Sequence, residues 1–140
     1  MIGAFRGNGR AVGESTNPGE PEVSHVLDGD TARVTVNGEL TAAARRPLVR
    51  VLTDLLLQHQ SLGRVLLDVR QVPFMNSAGM AVLVQLQRMT APRAIEVALL
   101  DPPEVVRRPL QLSGLWRRFP VVDSSGGDGG VGPGPGESSS

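Results

Sequence analysis

Residues 64–90 of this chain read RVLLDVRQVPFMNSAGMAVLVQLQRMT, and this stretch decides the fold class. Residues 65–69 form an apolar run interrupted only by Asp68, which is typical of a central strand covered on both faces by helices. Over residues 77–90 the apolar positions instead recur with the helical period. A buried strand followed by a short turn and an amphipathic helix predicts an α/β protein.

Alternating strands and helices are also predicted on both sides of this stretch. Upstream, Asp28-Gly29-Asp30 separates two runs in which apolar and polar residues alternate, which is the pattern of a β-hairpin. Downstream, residues 94–100 predict another buried strand. Helices are predicted over residues 44–58, 77–90 and 102–112. This order of elements predicts a small mixed sheet flanked by helices.

The two ends of the chain differ in composition from its centre. Residues 1–21 are rich in Gly and Pro, and residues 124–140 consist almost entirely of Gly, Ser, Pro and acidic residues. Such segments cannot bury enough apolar surface to offset the entropy of ordering. We therefore expect disordered N- and C-terminal tails over 1–21 and 124–140, and one folded domain over 22–123.

Composition excludes several classes of function. Lys and Arg together number 14 and are balanced by 14 Asp and Glu, so no net positive charge favours nucleic acid. Cysteine is absent, and the apolar runs are too short to cross a bilayer, which favours a cytoplasmic protein without membrane insertion. His25 and His59 lack companion ligands at metal-binding spacing, so no metal site is expected. No glycine-rich nucleotide loop follows the first strand, and no cofactor is expected.

The turn at residues 74–80 is the most informative candidate site. Helical phases predict a core face made of Gly79, Val82, Leu83, Leu86 and Met89. The opposite face carries Ser77, Met80, Ala81, Val84 and Arg88. Ser77 then lies at an exposed helix start, where free backbone N–H groups and the helix dipole favour an anion. The competing interpretation is that Ser77 or Asn76 is simply the N-cap.

This turn resembles the signature of STAS domains in anti-sigma factor antagonists, in which Asp-Ser-Ser/Thr-Gly follows the third strand. Three other stretches agree in order and spacing, namely Gly38-Glu39-Leu40, Val65-Leu66-Leu67-Asp68-Val69 and the segment from Val106-Arg107-Arg108 to Phe119-Pro120-Val121. The resemblance implies a STAS-type sheet of four to five strands. It also places the family phosphoacceptor on Ser77 and the structural glycine of the turn on Gly79.

Three positions depart from the family pattern. The Asp before the acceptor is Asn76, the second hydroxyl residue is Ala78, and the Asp of the Gly-Glu-Leu-Asp pattern is Thr41. The change to Asn76 removes a carboxylate that could orient the acceptor hydroxyl or help to hold a kinase's metal ion, and Thr41 removes another acid from the nearby surface. Asn76 and Ala78 favour an alternative in which the chain is a non-phosphorylated STAS scaffold, or a subunit of a larger signalling or membrane transport complex.

The function that the resemblance implies is protein binding without catalysis. The partner would be an anti-sigma factor of the histidine-kinase-like ATPase class, and binding would free a sigma factor until phosphorylation of Ser77 ended it. The partner-binding residues would be Asn76, Ser77, Met80, Ala81, Val84 and Arg88. We expect no catalytic residues. Trp116, the single tryptophan, fits either the core edge or an exposed contact.

Overall fold

The computed structural model describes residues 19–124, which contain one mixed sheet of five strands and three α-helices. The strands are β1 (Glu22–Asp28), β2 (Thr31–Asn37), β3 (Arg64–Asp68), β4 (Glu96–Leu100) and β5 (Val121–Val122). The helices are α1 (Arg45–Gln58), α2 (Ser77–Thr90) and α3 (Glu104–Ser113). The α/β prediction is confirmed, and the predicted helices agree with the observed ones to within two residues at each end.

The strands lie in the sheet in the same order as in the chain. β1 and β2 form the predicted antiparallel hairpin, in which Asp28 pairs with Thr31 across the Asp-Gly turn. Gly29 has a φ of +65°, a left-handed conformation that favours glycine. The remaining neighbours are parallel, and each parallel connection crosses over through one helix. Because such crossovers are right-handed, a sheet built in chain order places its helices on one face.

The hydrophobic core lies between that face and the three helices. Val34, Leu67 and Leu99 are neighbours across β2, β3 and β4, and all three are fully buried. The same core receives helix residues such as Leu52, Leu83, Val106 and Leu110. Burial of this apolar surface is the main favourable contribution to folding.

The expectation that β3 would be covered by helices on both faces is wrong. Arg33, Leu66 and Ala98 form a row on the opposite face of the sheet, where Arg33 is exposed, Leu66 is half-buried and Ala98 is fully buried, and none of the three belongs to the core that the helices cover. The reason is topological, because a chain-ordered sheet brings all three crossover helices to the other face. An apolar run alone does not distinguish these two arrangements.

Contacts extend beyond each end of the predicted domain. Pro21 is buried beside Gly38, and the backbone N–H of Ser124 donates to a carboxylate oxygen of Asp101 at 3.0 Å. Residues 1–18 and 125–140 of the predicted disordered tails lie outside the described residues. Strand β5 has only two residues, which is too short to produce a recognisable alternation in sequence.

We expect the free energy of unfolding to decrease as the pH falls below about 6.5, because of His25. Nδ1 of His25 is buried and has no hydrogen-bond partner among residues 19–124. Burial lowers the pKa of His25, the charge of His59 lowers it further, and Asp54 opposes them. The unfolded chain therefore takes up the proton more readily than the folded protein. The stabilisation is fully present above the pKa of His25 in the unfolded chain, and it is lost as the pH falls through the lower pKa in the folded protein.

Thermal unfolding of His25→Leu and His59→Gln across this range tests the assignment. His25→Leu should lose part of the pH dependence, whereas His59→Gln should keep most of it. If the stability of His25→Leu depended on pH as strongly as that of wild type, His25 would not be the source of the pH dependence.

Candidate functional site

The loop after β3 leads directly into α2, and Asn76 is the N-cap of that helix. Its backbone is extended, and its Oδ1 accepts a hydrogen bond from the backbone N–H of Gly79 at 2.9 Å. Ser77 follows as the first helical residue and is exposed. Its hydroxyl makes no hydrogen bond with any other residue between 19 and 124. Asn76 thus takes the capping role, and the Ser77 hydroxyl is accessible at the helix start.

Gly79 is where α2 touches the turn that follows β2. The backbone of Leu40 pairs with that of Met75, and the carbonyl oxygen of Leu40 accepts from the N–H of Asn76 at 3.2 Å. A Cβ atom at Gly79 would lie 1.9 Å from the Leu40 carbonyl oxygen. The close approach of two backbones therefore excludes any side chain at this position. This contact joins the two loops that the family resemblance singled out.

The outward surface of α2 is narrower than its helical phase predicted. Ser77, Ala81 and Arg88 are exposed, as expected, whereas Met80 and Val84 are half-buried and pack against the core. On the inner face, Gly79, Val82, Leu83 and Leu86 are buried, and Met89 is half-buried against the same core. We call Ser77, Ala81, Val84 and Arg88 the α2 strip.

The two flanks of α2 explain this narrowing. On one side, the Arg45 side chain of α1 donates to Gln85 Oε1 at 3.0 Å. On the other side, the Ser113 hydroxyl at the end of α3 donates to Met80 Sδ at 3.8 Å. Further along, Gln87 Nε2 donates to the carbonyl oxygen of Arg118 at 2.6 Å. The α2 strip therefore lies between α1 and the segment that follows α3.

Two exposed apolar side chains near α2 were not predicted as site residues. Phe74, in the loop before the N-cap, is 46% exposed, and Leu112, next to Ser113 in α3, is 77% exposed. Val106 and Leu110 form the buried stripe of α3, and Leu112 lies about 200° around the helix from Leu110. That helical spacing is a signal by which Leu112 could have been recognised.

Asp68 ends β3 and anchors the loop that leads to the site. The carboxylate is 2% exposed, and it accepts from Arg70 Nε at 3.0 Å and Arg70 Nη2 at 2.8 Å. Arg33 on β2 also donates to it, at 3.3 Å. Burial works to raise the pKa of Asp68, but the hydrogen bonds and charge of Arg70 and Arg33 outweigh it, so the pKa lies below the ordinary value. Asp68 is therefore ionised and paired at neutral pH.

Thr41 occupies the other position at which this chain lacks a family carboxylate. Its hydroxyl oxygen accepts from the N–H of Ala43 at 3.2 Å and caps the 3₁₀ turn Ala42–Ala44 before α1. Thr41 and Asn76 thus both keep a local capping role without contributing a negative charge.

Trp116 lies at the edge of the core and not on the α2 strip. It is half-buried and lines a shallow cavity of about 310 Å³ together with Asp101, Arg107 and Val122. Asp101 is engaged by Ser124, and Arg107 pairs with Glu104 at 2.8 Å. The polar groups of this cavity are thus satisfied by the protein itself.

Residues 19–124 contain no group of three or more His, Cys, Asp or Glu side chains placed to hold a metal ion. None of the helices described there has the length and apolar character needed to span a membrane.

Comparison with known proteins gives consistent results. The STAS domain family model matches residues 24–126. The anti-sigma F factor antagonist of Paenibacillus polymyxa is 28% identical over 91 residues, which cover 65% of this chain and 77% of that protein. The unphosphorylated form of the anti-sigma factor antagonist SpoIIAA superposes with a TM-score of 0.60 at 21% identity, covering 72% of this chain and 86% of that one. The phosphorylated form of SpoIIAA from Bacillus superposes with a TM-score of 0.57 at 20% identity, covering 72% of this chain and 89% of that one.

Proposed function

This chain belongs to the STAS domain family, and from that premise we propose that it is an anti-sigma factor antagonist, which binds an anti-sigma factor and so frees a sigma factor. The name of the Paenibacillus relative supports this assignment. The observation that carries it is the exposed Ser77 at the capped start of α2, beside the apolar residues of the α2 strip. The partner proposed is an anti-sigma factor of the histidine-kinase-like ATPase class, and the proposed location is the cytoplasm.

We propose that phosphorylation of Ser77 ends this binding. A phosphoserine adds about −1.5 to −2 charges at neutral pH. At the first position of α2 the phosphate would be tolerated by the folded domain, since the helix N-terminus favours negative charge. When a partner binds, however, the phosphate would have to lose its hydration beside Ala81 and Val84, and desolvation of such a charge is costly. The switch would therefore act at the interface and leave the fold intact. SpoIIAA, which shares this fold, has been solved in both forms.

The protein itself is proposed to be non-catalytic. In this scheme the partner kinase and a separate phosphatase carry out the chemistry, and Ser77 is their substrate. Ala78 has no hydroxyl, so Ser77 would be the sole acceptor among residues 76–79. The scaffold alternative is favoured by Asn76, whose amide oxygen is occupied by the Gly79 N–H and supplies no carboxylate for a kinase's metal ion.

We expect Ser77→Asp to weaken binding to the anti-sigma factor by about tenfold, because an unpaired carboxylate would be buried in the contact. Ser77→Ala should bind nearly as well as wild type, since it removes an exposed hydroxyl that has no partner among the described residues. Isothermal titration calorimetry with purified candidate anti-sigma factors measures both variants. Equal affinities for the Ala and Asp variants would contradict a contact at Ser77.

The same panel tests phosphorylation directly. Each variant is incubated with the anti-sigma factor and ATP, and its intact mass is measured. Asn76→Asp should take up phosphate faster than wild type because it restores a carboxylate beside the acceptor, and Ser77→Ala should take up none. Absence of phosphate in both wild type and Asn76→Asp would support the scaffold alternative.

A further inference from the structure

Four arginines on or beside the α2 strip have no carboxylate partner among residues 19–124. Arg88 belongs to the strip, Arg45 lies on the α1 side, and Arg117 and Arg118 lie on the side of the segment after α3. None of the four forms an ion pair with another residue in the part of the chain that the structure describes. By contrast, Arg33, Arg64 and Arg70, which lie on or next to the sheet, all have carboxylate partners. Arg46 and Arg93 also have no carboxylate partner among the described residues, but Arg93 donates instead to the backbone carbonyl oxygens of Leu56 and His59. The four arginines thus form a group of guanidinium groups around α2 that have no carboxylate partner within residues 19–124.

The centre of this surface is apolar and extends onto α3. The contact between Ser113 and Met80 brings the last turn of α3 against the first turn of α2. Leu112, the most exposed of the large apolar side chains in residues 19–124, projects from that turn. Leu112 adds a large apolar group to the small surface of Ala81 and the half-buried Val84. An apolar centre with a polar rim is the usual anatomy of a protein interface.

Negative charge is sparse around the start of α2. Asn76 and Thr41, which cap the two adjoining turns, are both neutral. Glu104, on α3, is neutralised by Arg107 at 2.8 Å and Arg108 at 3.8 Å. The exposed Glu39, beside Leu40, is the acidic side chain left close to the α2 turn. The balance of charge around α2 is therefore positive, although the whole chain carries no net charge.

We propose that the α2 strip, Leu112 and the four arginines form one docking surface, and that its occupant is a protein face with an apolar patch rimmed by Asp and Glu carboxylates. Arginine binds carboxylates in a bidentate geometry and is enriched at protein interfaces. Complementary charges of this kind steer association and select partners. The inference deepens the proposed function and depends on it only for the identity of the occupant as an anti-sigma factor.

A photo-crosslinking residue placed at Leu112 or at Leu57 tests the surface without assuming a partner. Leu57, near the end of α1, is 71% exposed and is a matched control for exposure. Each variant of the full chain is produced in its native cells and irradiated, and the crosslinked peptides are sequenced by mass spectrometry. The expected result is a protein crosslink from position 112 but not from position 57, to a partner segment that carries several Asp or Glu residues. No crosslink at 112, equal crosslinking at both positions, or a crosslink to nucleic acid would overturn the proposal.

The charge component is tested on the same crosslink. Arg117→Gln with Arg118→Gln should reduce the crosslinking yield at position 112 about tenfold, and added salt should reduce it further. Arg64→Gln, on the opposite face of the sheet, should leave the yield unchanged. A yield that is insensitive to both the double substitution and salt would overturn the acidic character of the occupant. If the crosslinked protein is acidic at the contact but is not an anti-sigma factor, the surface stands and the proposed function fails.

Discussion

Gly79→Ala lowers the free energy of unfolding by about 3 kcal/mol, the opposite of what a glycine-to-alanine change in a helix normally does. Alanine in a helix is favoured over glycine by about 1 kcal/mol. Here the added methyl carbon would lie 1.9 Å from the carbonyl oxygen of Leu40. The obstacle is backbone held by hydrogen bonds, so α2 or the Leu40 turn must shift, and overpacking of this kind is costly. Chemical denaturation monitored by circular dichroism measures the change.

Ser77→Ala is the control, since it lies in the same first turn and adds no atom near Leu40. Its free energy of unfolding should stay within about 0.5 kcal/mol of wild type. Gly79→Ala should also weaken binding to an anti-sigma factor, because the displaced helix carries the α2 strip. An unchanged or increased stability of Gly79→Ala would show that the two backbones are not in contact.

Asp68→Asn lowers the free energy of unfolding by about 2–3 kcal/mol at neutral pH. The substitution keeps the shape of the side chain but removes a buried charge that accepts hydrogen bonds from Arg70 and Arg33, and charge-assisted bonds are the stronger kind. An amide N–H₂ group would also face guanidinium donors. Glu96→Gln is the matched control, since its ion pair with Arg64 is exposed at both ends and should contribute less than about 1 kcal/mol.

The difference between wild type and Asp68→Asn should depend on pH in a defined direction. The pKa of Asp68 is lower in the folded protein than the ordinary value of 3.8. The stabilisation by Asp68 is therefore fully present above its ordinary pKa, and it is lost as the pH falls through its lower pKa in the folded protein. Denaturation curves should give different free energies of unfolding for the two proteins at neutral pH, and these free energies should converge in acid. A constant difference at all pH values would mean that the substitution costs stability through packing alone.

The order and bounds of the elements followed from local patterns, because a helix period, an Asp-Gly turn and an apolar run are each encoded within a few residues. The sequence did not reveal which face of β3 the helices cover. Leu66 is apolar whether or not a helix covers it, and the order of the strands in the sheet decides which face the helices occupy. The helical phase predicted Met80 and Val84 on the outward side of α2, but both are half-buried against the core. For Met80 the contact comes from Ser113 of α3, which is distant in sequence. Similarly, the apolar run gave no sign that Asp68 would pair with Arg33, which lies on another strand.

The chain order of the five strands has a consequence for biosynthesis. Each strand pairs with the one that was made just before it, and none has to wait for a later segment to fill a gap in the sheet. A growing chain can therefore add β3, β4 and β5 to the hairpin one at a time as each emerges from the ribosome, with its helix already made. Exposed strand edges are the main aggregation hazard of incomplete sheets. In this topology each newly added strand forms the growing edge of the sheet until the next segment of the same chain pairs with it.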